Sequence, residues 1–501
     1  MSSGLFNGVI IGPFLQAALK YAKFVGPGIM VSVAYMDPGN YSTSVAAGSS
    51  YEYKLLVAVF VSNLFAVLLQ CLCIKVGSVT GLDLAQNCRL HLPRWLNLTV
   101  YVFTEIAIVA TDLAEVVGSA IALNILFGIP LELGIVLTVV EVLIVLVAYK
   151  SDGTTRQLRY FELFVSALVF ATCVCFAILL QKVEIADVGA VFKGFAPLSS
   201  DILEKKAIYL SLGILGATVM PHSLYLGSAL VQPRLRDYDI KHGNYEPFEG
   251  EQNGGPSRMI TYRPSLNALD YCLKMSYWEL IASLFFIALF VNSSILIVAG
   301  ASLYGKPDAA DADLLTIYDM LTGYVSPTAG LLFALAMLFS GQSAGIICTM
   351  SGQIVSEGFI HWKVKPWVRR IITRLICIIP CLGMVLFVGR KGIAQILNGS
   401  QVLLSLILPI VSAPLIYFSC SHEIMRVRVN KVPIENRETE HDSIDEQTNL
   451  LPQSKTYSGA EYLDYTNGVI LSALSLLTWG SISCLNFYLI IQFMRGEDID
   501  F

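Results

Sequence analysis

Long apolar stretches separated by short polar ones run along most of the chain. Eleven of them are long enough to cross the hydrocarbon core of a bilayer as a helix, for which about 17 residues or more are needed. They predict transmembrane helices at Tyr21–Val45, Leu55–Val76, Leu98–Phe127, Leu131–Ala148, Tyr160–Gln181, Ala207–Val231, Tyr277–Leu303, Thr328–Phe359, Ile371–Gly389, Ala394–Phe418 and Asn467–Phe493. This pattern predicts an all-α integral membrane protein.

Two hydrophilic segments divide the apolar pattern. Because they are rich in Gly, Asn, Ser and charged residues, we expect flexible loops outside the membrane. The predicted organisation is an N-terminal tail at 1–20, a ten-helix unit at 21–418 with a loop at 232–266, a second loop at 419–465, the eleventh helix at 466–493 and a C-terminal tail at 494–501.

Composition supports the membrane assignment. Of the 501 residues, 55% are hydrophobic and 14% are charged, and the mean hydropathy is +0.64. Soluble domains carry about 25% charged residues. These values exclude a secreted disulfide scaffold, a disordered protein and an ordinary cytosolic enzyme. A net charge of −5 gives no sign of a nucleic-acid partner.

The basic residues are distributed unevenly across the predicted membrane. With the N-terminus in the cytosol, 24 of the 33 Lys and Arg residues fall on the cytosolic side. Since cytosolic loops are enriched in these residues, we expect a cytosolic N-terminus and a luminal or extracellular C-terminus. No basic segment with a cleavage site precedes the first apolar stretch, so we expect no removable signal peptide.

Two predicted helices are interrupted at matching positions. The first contains Met36–Asn40 (MDPGN), and the sixth contains Thr218–His222 (TVMPH). Proline removes a backbone donor and glycine tolerates non-helical angles, so each helix is expected to break there. Five spans separate the breaks, as in an inverted repeat of five plus five helices, and such paired breaks point to a transporter's site at the middle of the membrane. The alternative is that each proline only kinks its helix.

The residues at the two breaks offer the donor atoms of a metal site. Asp37 at the centre of the bilayer costs about 2.5–3.5 kcal/mol, so it needs a partner or a function. Asn40 and Met220 add an amide oxygen and a thioether at comparable depth. Unwinding also frees carbonyls, with those of Ala34 and Ala217 as candidates. Oxygen donors alone suit Ca²⁺ or Mg²⁺, whereas an added sulfur favours a first-row transition metal.

A second polar group lies in the third predicted helix. Glu105, Asp112 and Glu115 recur at spacings of seven and three and therefore share one helix face. Intramembrane carboxylates usually mark an ion or proton route, although ion pairs that only lock helices together are the alternative. His222 in the second break could assist, because an unperturbed imidazole titrates near pH 6.5. Basic partners stand at the start of the ninth helix, at Arg369, Arg370 and Arg374.

These residues and their neighbours resemble the natural resistance-associated macrophage protein (Nramp) family of proton-coupled divalent-metal transporters. The likeness runs from about Val25 to Pro414. The matching stretches are Asp37–Asn40 (DPGN), Ala110–Gly118 (ATDLAEVVG), Gly216–His222 (GATVMPH), Gly341–Ser343 (GQS), Gly352–Gln353 (GQ), Glu357–Phe359 (EGF) and Ser400–Val402 (SQV).

The resemblance implies a LeuT-like fold of two inverted five-helix repeats. It also implies a network in the third helix that carries protons along a separate route, with Asp37 as the first acceptor. The implied metal ligands are the side chains of Asp37, Asn40 and Met220 and the carbonyl of Ala217, joined in some states of the cycle by the carbonyl of Ala34 and the side chain of Gln401.

The chain departs from the family pattern at three positions. Gly227 stands where many members have a second histidine in the sixth helix, so His222 must fulfil any histidine role there alone. Ile407 and Ile410 stand where many have a glutamine and a phenylalanine around the tenth-helix proline. The stretch Met220–Gly227 (MPHSLYLG) is most similar to the fungal branch.

A candidate sorting signal lies in the second hydrophilic segment. Glu446 stands four residues before the pair Leu450 and Leu451, in the stretch DEQTNLLP. This spacing resembles a signal read by endosomal and vacuolar adaptors, although short motifs also arise by chance. The segment lies on the predicted cytosolic side, which favours a vacuolar or endosomal membrane over the plasma membrane. Metal and protons would then leave an acidic lumen for the cytosol.

Other function classes fit the sequence less well. The chain lacks an HExxH pair and a GxGD element, so we expect neither an intramembrane hydrolase nor a resident cofactor. A metal sensor without net flux and a carrier of another divalent cation are alternatives. Met220 argues against Mg²⁺, and Asp37 argues against an anionic substrate. Fe²⁺ and Mn²⁺ both accept this ligand set.

Overall fold

The computed structural model describes the chain in nine pieces, which are almost entirely helical. They are residues 26–148, 155–197, 200–245, 262–306, 314–361, 366–387, 390–428, 454–457 and 460–495.

The first predicted half is a broken helix followed by four spans. In chain order its helices are α1 (Pro27–Val33), α2 (Pro38–Tyr51), α3 (Leu56–Thr80), α4 (Leu84–His91), α5 (Arg94–Phe127), α6 (Leu131–Ala148) and α7 (Thr155–Lys182). Hydropathy does not predict the short α4. It forms because Asp83 and Gln86 cap it reciprocally, each side chain accepting a bond from the other's backbone N–H.

The second half repeats this arrangement after a short connecting helix. Its helices are α8 (Val188–Gly194), α9 (Lys205–Thr218), α10 (Pro221–Leu230), α11 (Gln232–Lys241), α12 (Leu266–Ser283), α13 (Leu289–Leu303), α14 (Leu314–Met320), α15 (Pro327–Ile360), α16 (Pro366–Phe387) and α17 (Arg390–Cys420), and the eleventh span is α18 (Val469–Met494). A π-helical turn at Leu284–Ala288 joins α12 to α13. The sixth span is thus broken between α9 and α10, as the first is broken between α1 and α2.

In its described part, every predicted span corresponds to a helix or a helix pair. Eight described helical stretches are long and apolar enough to cross a membrane. The other three predicted spans correspond to the split pair α1 and α2, to α6 and to α16. The central part of α16, Ile371–Gly383, is apolar but shorter than a full span.

Helices α5 and α15 lie at the centre of the bundle. They pack against each other; α5 also contacts α6, α16 and α17, and α15 contacts α7. Helix α2 packs against both α9 and α13, so the two broken spans meet. The outer surface carries large apolar side chains such as Phe170 and Phe286, which are 71% and 80% exposed and suit a lipid environment.

The two hydrophilic segments contain regular structure in their described parts, contrary to the expectation of flexible loops. Residues Gln232–Lys241 form α11, where buried Asp239 accepts bonds from Tyr262 Oη at 2.6 Å and Ser265 N at 2.9 Å. These partners satisfy the carboxylate and tie α11 to the start of α12. A hydrophilic composition therefore does not exclude local structure when the polar groups bond one another.

The second segment holds a small antiparallel sheet, which is the described chain's departure from an all-helical fold. Its strands are β1 (Arg426–Arg428), β2 (Ser454–Tyr457) and β3 (Ala460–Asp464), in the order β1-β3-β2. Arg426 pairs with Asp464, and Tyr457 pairs with Ala460. The sheet lies between α17 and α18 in the chain, and its first strand contacts α3.

Candidate metal site and proton route

Each broken span places a proline four residues after a particular carbonyl. Helix α1 ends at Val33, residues 34–36 continue as a tight turn with i→i−3 bonds, and α2 begins at Pro38. Because proline has no N–H, it cannot donate to the carbonyl four residues earlier, which is that of Ala34. In the second break, Pro221 begins α10 and leaves the Ala217 carbonyl without its helical donor in the same way. The sequence thus frees one carbonyl in each half.

Asp37 caps the second piece of the first span. It is fully buried, and its Oδ1 accepts from the backbone N–H of Asn40 at 3.0 Å and from Asn40 Nδ2 at 2.9 Å. Its other oxygen, Oδ2, has no hydrogen-bond partner in the described part of the chain. A buried carboxylate oxygen without a donor is costly, so this oxygen marks a place where a cation or proton would be stabilised.

The side chain of Asn40 joins the two breaks. Its Nδ2 donates both to Asp37 Oδ1 at 2.9 Å and to the freed carbonyl of Ala217 at 3.0 Å. The positive end of the amide dipole therefore bridges these two oxygens. A half-turn of this amide would put its own oxygen where Nδ2 now lies, so that three oxygen donors would surround one point close by.

Neighbouring carbonyls of the first break are already bonded. Asn292 of α13 donates Nδ2 to the Tyr35 carbonyl at 2.8 Å, and Ser340 of α15 donates its hydroxyl to the Met36 carbonyl. These two bonds hold the unwound backbone from two different helices. Such compensation is required because unwound backbone in a membrane cannot bond water.

Met220 and Gln401 complete the candidate ligand set. Met220 is fully buried at the start of α10, where its carbonyl accepts from Ser223 Oγ at 2.7 Å. Gln401 of α17 is also fully buried, and its side-chain amide lies so close to Gly39 that a Cβ there would overlap it. Gln401 Oε1 has no bond partner among the described residues. The glutamine therefore reaches the first break.

Contacts at both ends of the broken spans close the site. At one end, Glu279 Oε1 accepts from the backbone N–H groups of Gly26 and Gly28 at 2.5 and 3.0 Å, and Arg234 lies 3.1 Å from its Oε2. These bonds fix the start of α1 against α12. With Asp37, Asn40 and Met220 at most 2% exposed, the structure is occluded.

At the opposite end, two contacts join the end of α2 and the turn after it to the segment just before α9. Tyr51 donates its hydroxyl to Glu204 Oε2 at 2.9 Å, and Lys54 Nζ lies 2.5 Å from Asp201 Oδ2. The hydrogen bond to Asp201 is the main reason that the pKa of Lys54 is raised, so this ammonium stays charged. The pair is partly exposed, so water can hydrate both charges when they separate, and breaking the pair costs little free energy.

A buried polar cluster beside the site was not predicted from the sequence. Gln70 of α3 donates Nε2 to Tyr35 Oη at 2.8 Å and to Ser223 Oγ at 2.9 Å, which connects the two breaks again. A Cβ at Gly227 would overlap Gln70 Oε1, so Gln70 fills the space left by the missing side chain. A glutamine in an otherwise apolar span is the sequence signal that could have identified it.

The carboxylates of α5 have basic partners from α16. Arg369 donates Nη2 to both oxygens of Glu105, at 2.6 and 2.8 Å. Arg374 donates Nη1 to the Asp112 carbonyl at 3.2 Å and lies 3.6 Å from Glu115 Oε2. The side chain of Arg370 lies outside the described residues.

His222 lies between the second break and this row of charges. Its Nδ1 is 3.5 Å from Thr111 Oγ1, the residue before Asp112, and the imidazole is buried. The thiol of Cys348 on α15 lies within 4.8 Å of ligand atoms of Asp112 and Glu115, a neighbour that the sequence did not indicate. These contacts bring His222 to the residue before Asp112, and they bring Asp112, Glu115 and Cys348 close to one another. The residues of the predicted sorting signal, Glu446, Leu450 and Leu451, lie outside the described residues.

Comparison with known proteins agrees with this geometry. The family model described as natural resistance-associated macrophage protein-like matches residues 28–435. The chain is 55% identical over 489 residues to the iron transporter SMF3 of Saccharomyces cerevisiae, covering 97% of this chain and 99% of that protein. It is 53% identical over 496 residues to the manganese transporter SMF2 of the same yeast, covering 96% and 90%.

Solved structures show the same fold. A crystal structure of the Eremococcus coleocola manganese transporter, in complex with an aromatic bis-isothiourea substituted compound, matches with a TM-score of 0.73 and 30% identity. The match covers 97% of this chain and 90% of that one. The prediction of a LeuT-like membrane fold with broken first and sixth helices is confirmed, as is the similarity to fungal proteins.

We predict that Gly39→Ala lowers Mn²⁺ affinity roughly 10- to 100-fold, the loss seen when a residue supporting a metal ligand is changed. The new methyl group would overlap the Gln401 amide and push it from the break. Isothermal titration calorimetry on purified protein measures this. Gly399→Ala is the matched control, because a Cβ there meets nothing within 4 Å although it is two residues from Gln401. Equal affinities in the two folded variants would contradict the assignment of Gln401.

Proposed function

The chain belongs to the Nramp family of metal transporters and is not an enzyme, and on this basis we propose that it carries Fe²⁺ or Mn²⁺ together with protons into the cytosol. The observation that supports this most directly is the Asn40 side chain, which links Asp37 in one break to the freed carbonyl of Ala217 in the other. A metal bound there would contact both halves of the inverted repeat, so its binding could be coupled to their movement.

The proposed metal ligands combine hard and soft donors. They are the side chains of Asp37, Asn40, Met220 and Gln401 and the carbonyls of Ala34 and Ala217. Carboxylate and carbonyl oxygens suit Mn²⁺ and Fe²⁺, and the thioether disfavours Mg²⁺, which demands an oxygen octahedron and dehydrates reluctantly. The iron and manganese transporters of yeast are similar to this chain to almost the same degree, at 55% and 53% identity, so both ions are proposed as substrates.

Protons are proposed to follow a separate route through α5. Asp37 is the first acceptor, because a metal and a proton compete for its unbonded oxygen. His222 contacts Thr111, which precedes Asp112 in α5, and we propose that this contact links the break to Asp112 and Glu115. Arg374 beside Glu115 supplies positive charge, which disfavours a metal ion at these carboxylates and suits them to proton transfer.

The ion pair between Glu105 and Arg369 ends the described part of this route. It is more exposed than the Glu115–Arg374 pair, since Glu105 is 22% and Glu115 1% exposed in their side chains. Glu105 is therefore proposed as the outer end of the described route. Arg370 is proposed as a further member of this end.

Direction and compartment rest on sequence features. The uneven distribution of Lys and Arg supports a cytosolic N-terminus and a luminal C-terminus. The stretch Asp445–Pro452 supports sorting by an adaptor to a vacuolar or endosomal membrane. In that membrane the acidic lumen supplies both the protons and the metal, and the plasma membrane is the alternative location.

We predict that purified protein in proteoliposomes moves Mn²⁺ with protons, and that Met220→Ala lowers the preference for Mn²⁺ over Mg²⁺ roughly tenfold, the equivalent of about 1.4 kcal/mol. The reason is the loss of the one soft ligand. Flux of each ion is measured under an inward pH gradient. Binding of Mn²⁺ without flux, in folded protein, would instead favour a sensor, and an unchanged ion preference would remove Met220 from the site.

Metal uptake should accelerate when the outer side is acidified from about pH 7.5 to pH 5.5, a range that brackets the unperturbed imidazole value of about 6.5. Glu115→Gln and His222→Ala should weaken this dependence, because each removes a titratable group from the route. Glu423→Gln, an exposed carboxylate outside the bundle, is the control and should behave as the native protein. A native pH response in both route variants would show that protons do not pass there.

The double variant Leu450→Ala with Leu451→Ala should move a tagged protein from the vacuolar or endosomal membrane to the plasma membrane. Adaptor recognition of the dileucine pair is the expected cause. Fluorescence microscopy in a fungal cell provides the test, with Leu463→Ala in the adjacent strand as a control. If the double variant stays in the same membrane as the native protein, the stretch is not a sorting signal, and the transport proposal is unaffected.

A further inference from the structure

The eleventh helix, α18, presents polar side chains to the rest of the protein. Ser475, Thr478, Asn486 and Gln492 are all buried at helical spacing, with Ile482 and Leu489 on the same face. Large apolar side chains occupy the remaining faces. An amide inside a membrane is costly unless it is bonded, so Asn486 indicates a specific contact and not general packing.

Asn486 replaces a hydrogen bond that proline removes from α17. Pro409 lies within α17 and has no N–H, so the carbonyl of Ser405, four residues earlier, loses its helical donor. Asn486 Nδ2 donates to this carbonyl at 2.7 Å, and its Oδ1 lies 3.1 Å from the Ser405 hydroxyl, which donates to it. Trp479 Nε1 also donates to the Pro409 carbonyl at 2.9 Å. Helix α18 therefore contacts the backbone around this proline twice.

The turn that Asn486 holds begins at Gln401. Gly216 of α9 packs against this turn so closely that a Cβ there would overlap the Gln401 carbonyl and lie 2.7 Å from the Ser405 N. From the same turn the Gln401 side chain extends over Gly39. Residues 401–405 are thus fixed between the second broken span and α18, with Gln401 directed at the first break.

We propose that Asn486 is a positioning residue for metal transport, which holds the 401–405 turn so that Gln401 reaches the metal. The inference rests on the proposed function, in which Gln401 is a ligand. Without the Asn486 amide, the Ser405 carbonyl would have to find another donor inside the membrane. The turn can satisfy it only by unwinding or tilting, and either movement draws Gln401 away from Gly39. The eleventh helix then acts on substrate affinity although it contributes no ligand.

The test compares Mn²⁺ uptake by full-length variants in proteoliposomes. Asn486→Leu, similar in size but without a donor, should raise the KM for Mn²⁺ roughly 3- to 20-fold, the range of hydrogen bonds between transmembrane helices. The maximal rate should change less. Ser475→Ala is the matched control, because Ser475 is fully buried in the same helix and donates at 2.6 Å to the Leu471 carbonyl of its own helix.

A double-mutant cycle with Gln401→Ala separates positioning from loss of stability. If Asn486 acts through Gln401, the double variant has the same KM as Gln401→Ala alone. If Gln401→Ala raises the KM but Asn486→Leu behaves as Ser475→Ala, or if the two effects multiply, the inference is overturned and the proposed function stands. If Gln401→Ala leaves the KM unchanged, Gln401 is not a ligand and both assignments fail, while transport through Asp37 is unaffected.

A second variant covers the case in which Asn486→Leu does not fold. Ser405→Ala removes the hydroxyl that bonds Asn486 Oδ1 but keeps the carbonyl that accepts from Nδ2. It should raise the KM less than Asn486→Leu, and again only when Gln401 is present. An unchanged KM, or a rise that persists with Gln401→Ala, would overturn the inference.

Discussion

A proline inside a helix removes the donor for the carbonyl four residues earlier, and inside a bilayer no water replaces it. The pairs that show this constraint most clearly are Ala34 with Pro38, Ala217 with Pro221, and Ser405 with Pro409. In the first two, the helix breaks and the carbonyl is left without its helical donor, and Asn40 bonds that of Ala217. In the third, the helix continues because Asn486 supplies the missing donor. The same local constraint therefore accounts for the two breaks and for the bond from α18 that supports the helix carrying Gln401.

Charge compensation distinguishes the proposed metal site from the proposed proton route. Among the described residues, no salt bridge joins Asp37 to a Lys or Arg, and its hydrogen bonds come from the backbone and side chain of Asn40. The α5 carboxylates have Arg369 and Arg374 close by. A carboxylate without a resident countercharge is stabilised by a mobile cation, whereas one beside a guanidinium can remain ionised or exchange a proton. Buried carboxylates are thus suited to metal binding or to proton transfer, depending on whether a guanidinium lies beside them.

The sequence predicts the features that depend on local chemistry. Both breaks follow from proline and its neighbours, the eleven spans follow from apolar length, and Asp37 is evident because a carboxylate is costly at that depth. Side chains that bond distant backbone are not predicted. Asn292 bonds the Tyr35 carbonyl and Asn486 bonds the Ser405 carbonyl. In the sequence each is a single amide in an apolar helix, and no periodic pattern indicates its partner. Helix α11 was missed for a similar reason, because Asp239 is satisfied by residues more than 20 positions away.

The central claim is that two proline-freed carbonyls and the side chains around them bind one transition metal. X-ray absorption spectroscopy of purified protein loaded with one equivalent of Mn²⁺ tests it most directly. The account predicts a first shell of mainly oxygen with a single sulfur scatterer, and Met220→Ala should remove that sulfur while the metal remains bound. A shell without sulfur in the native protein, or a sulfur that persists in the folded variant, would contradict the site described here.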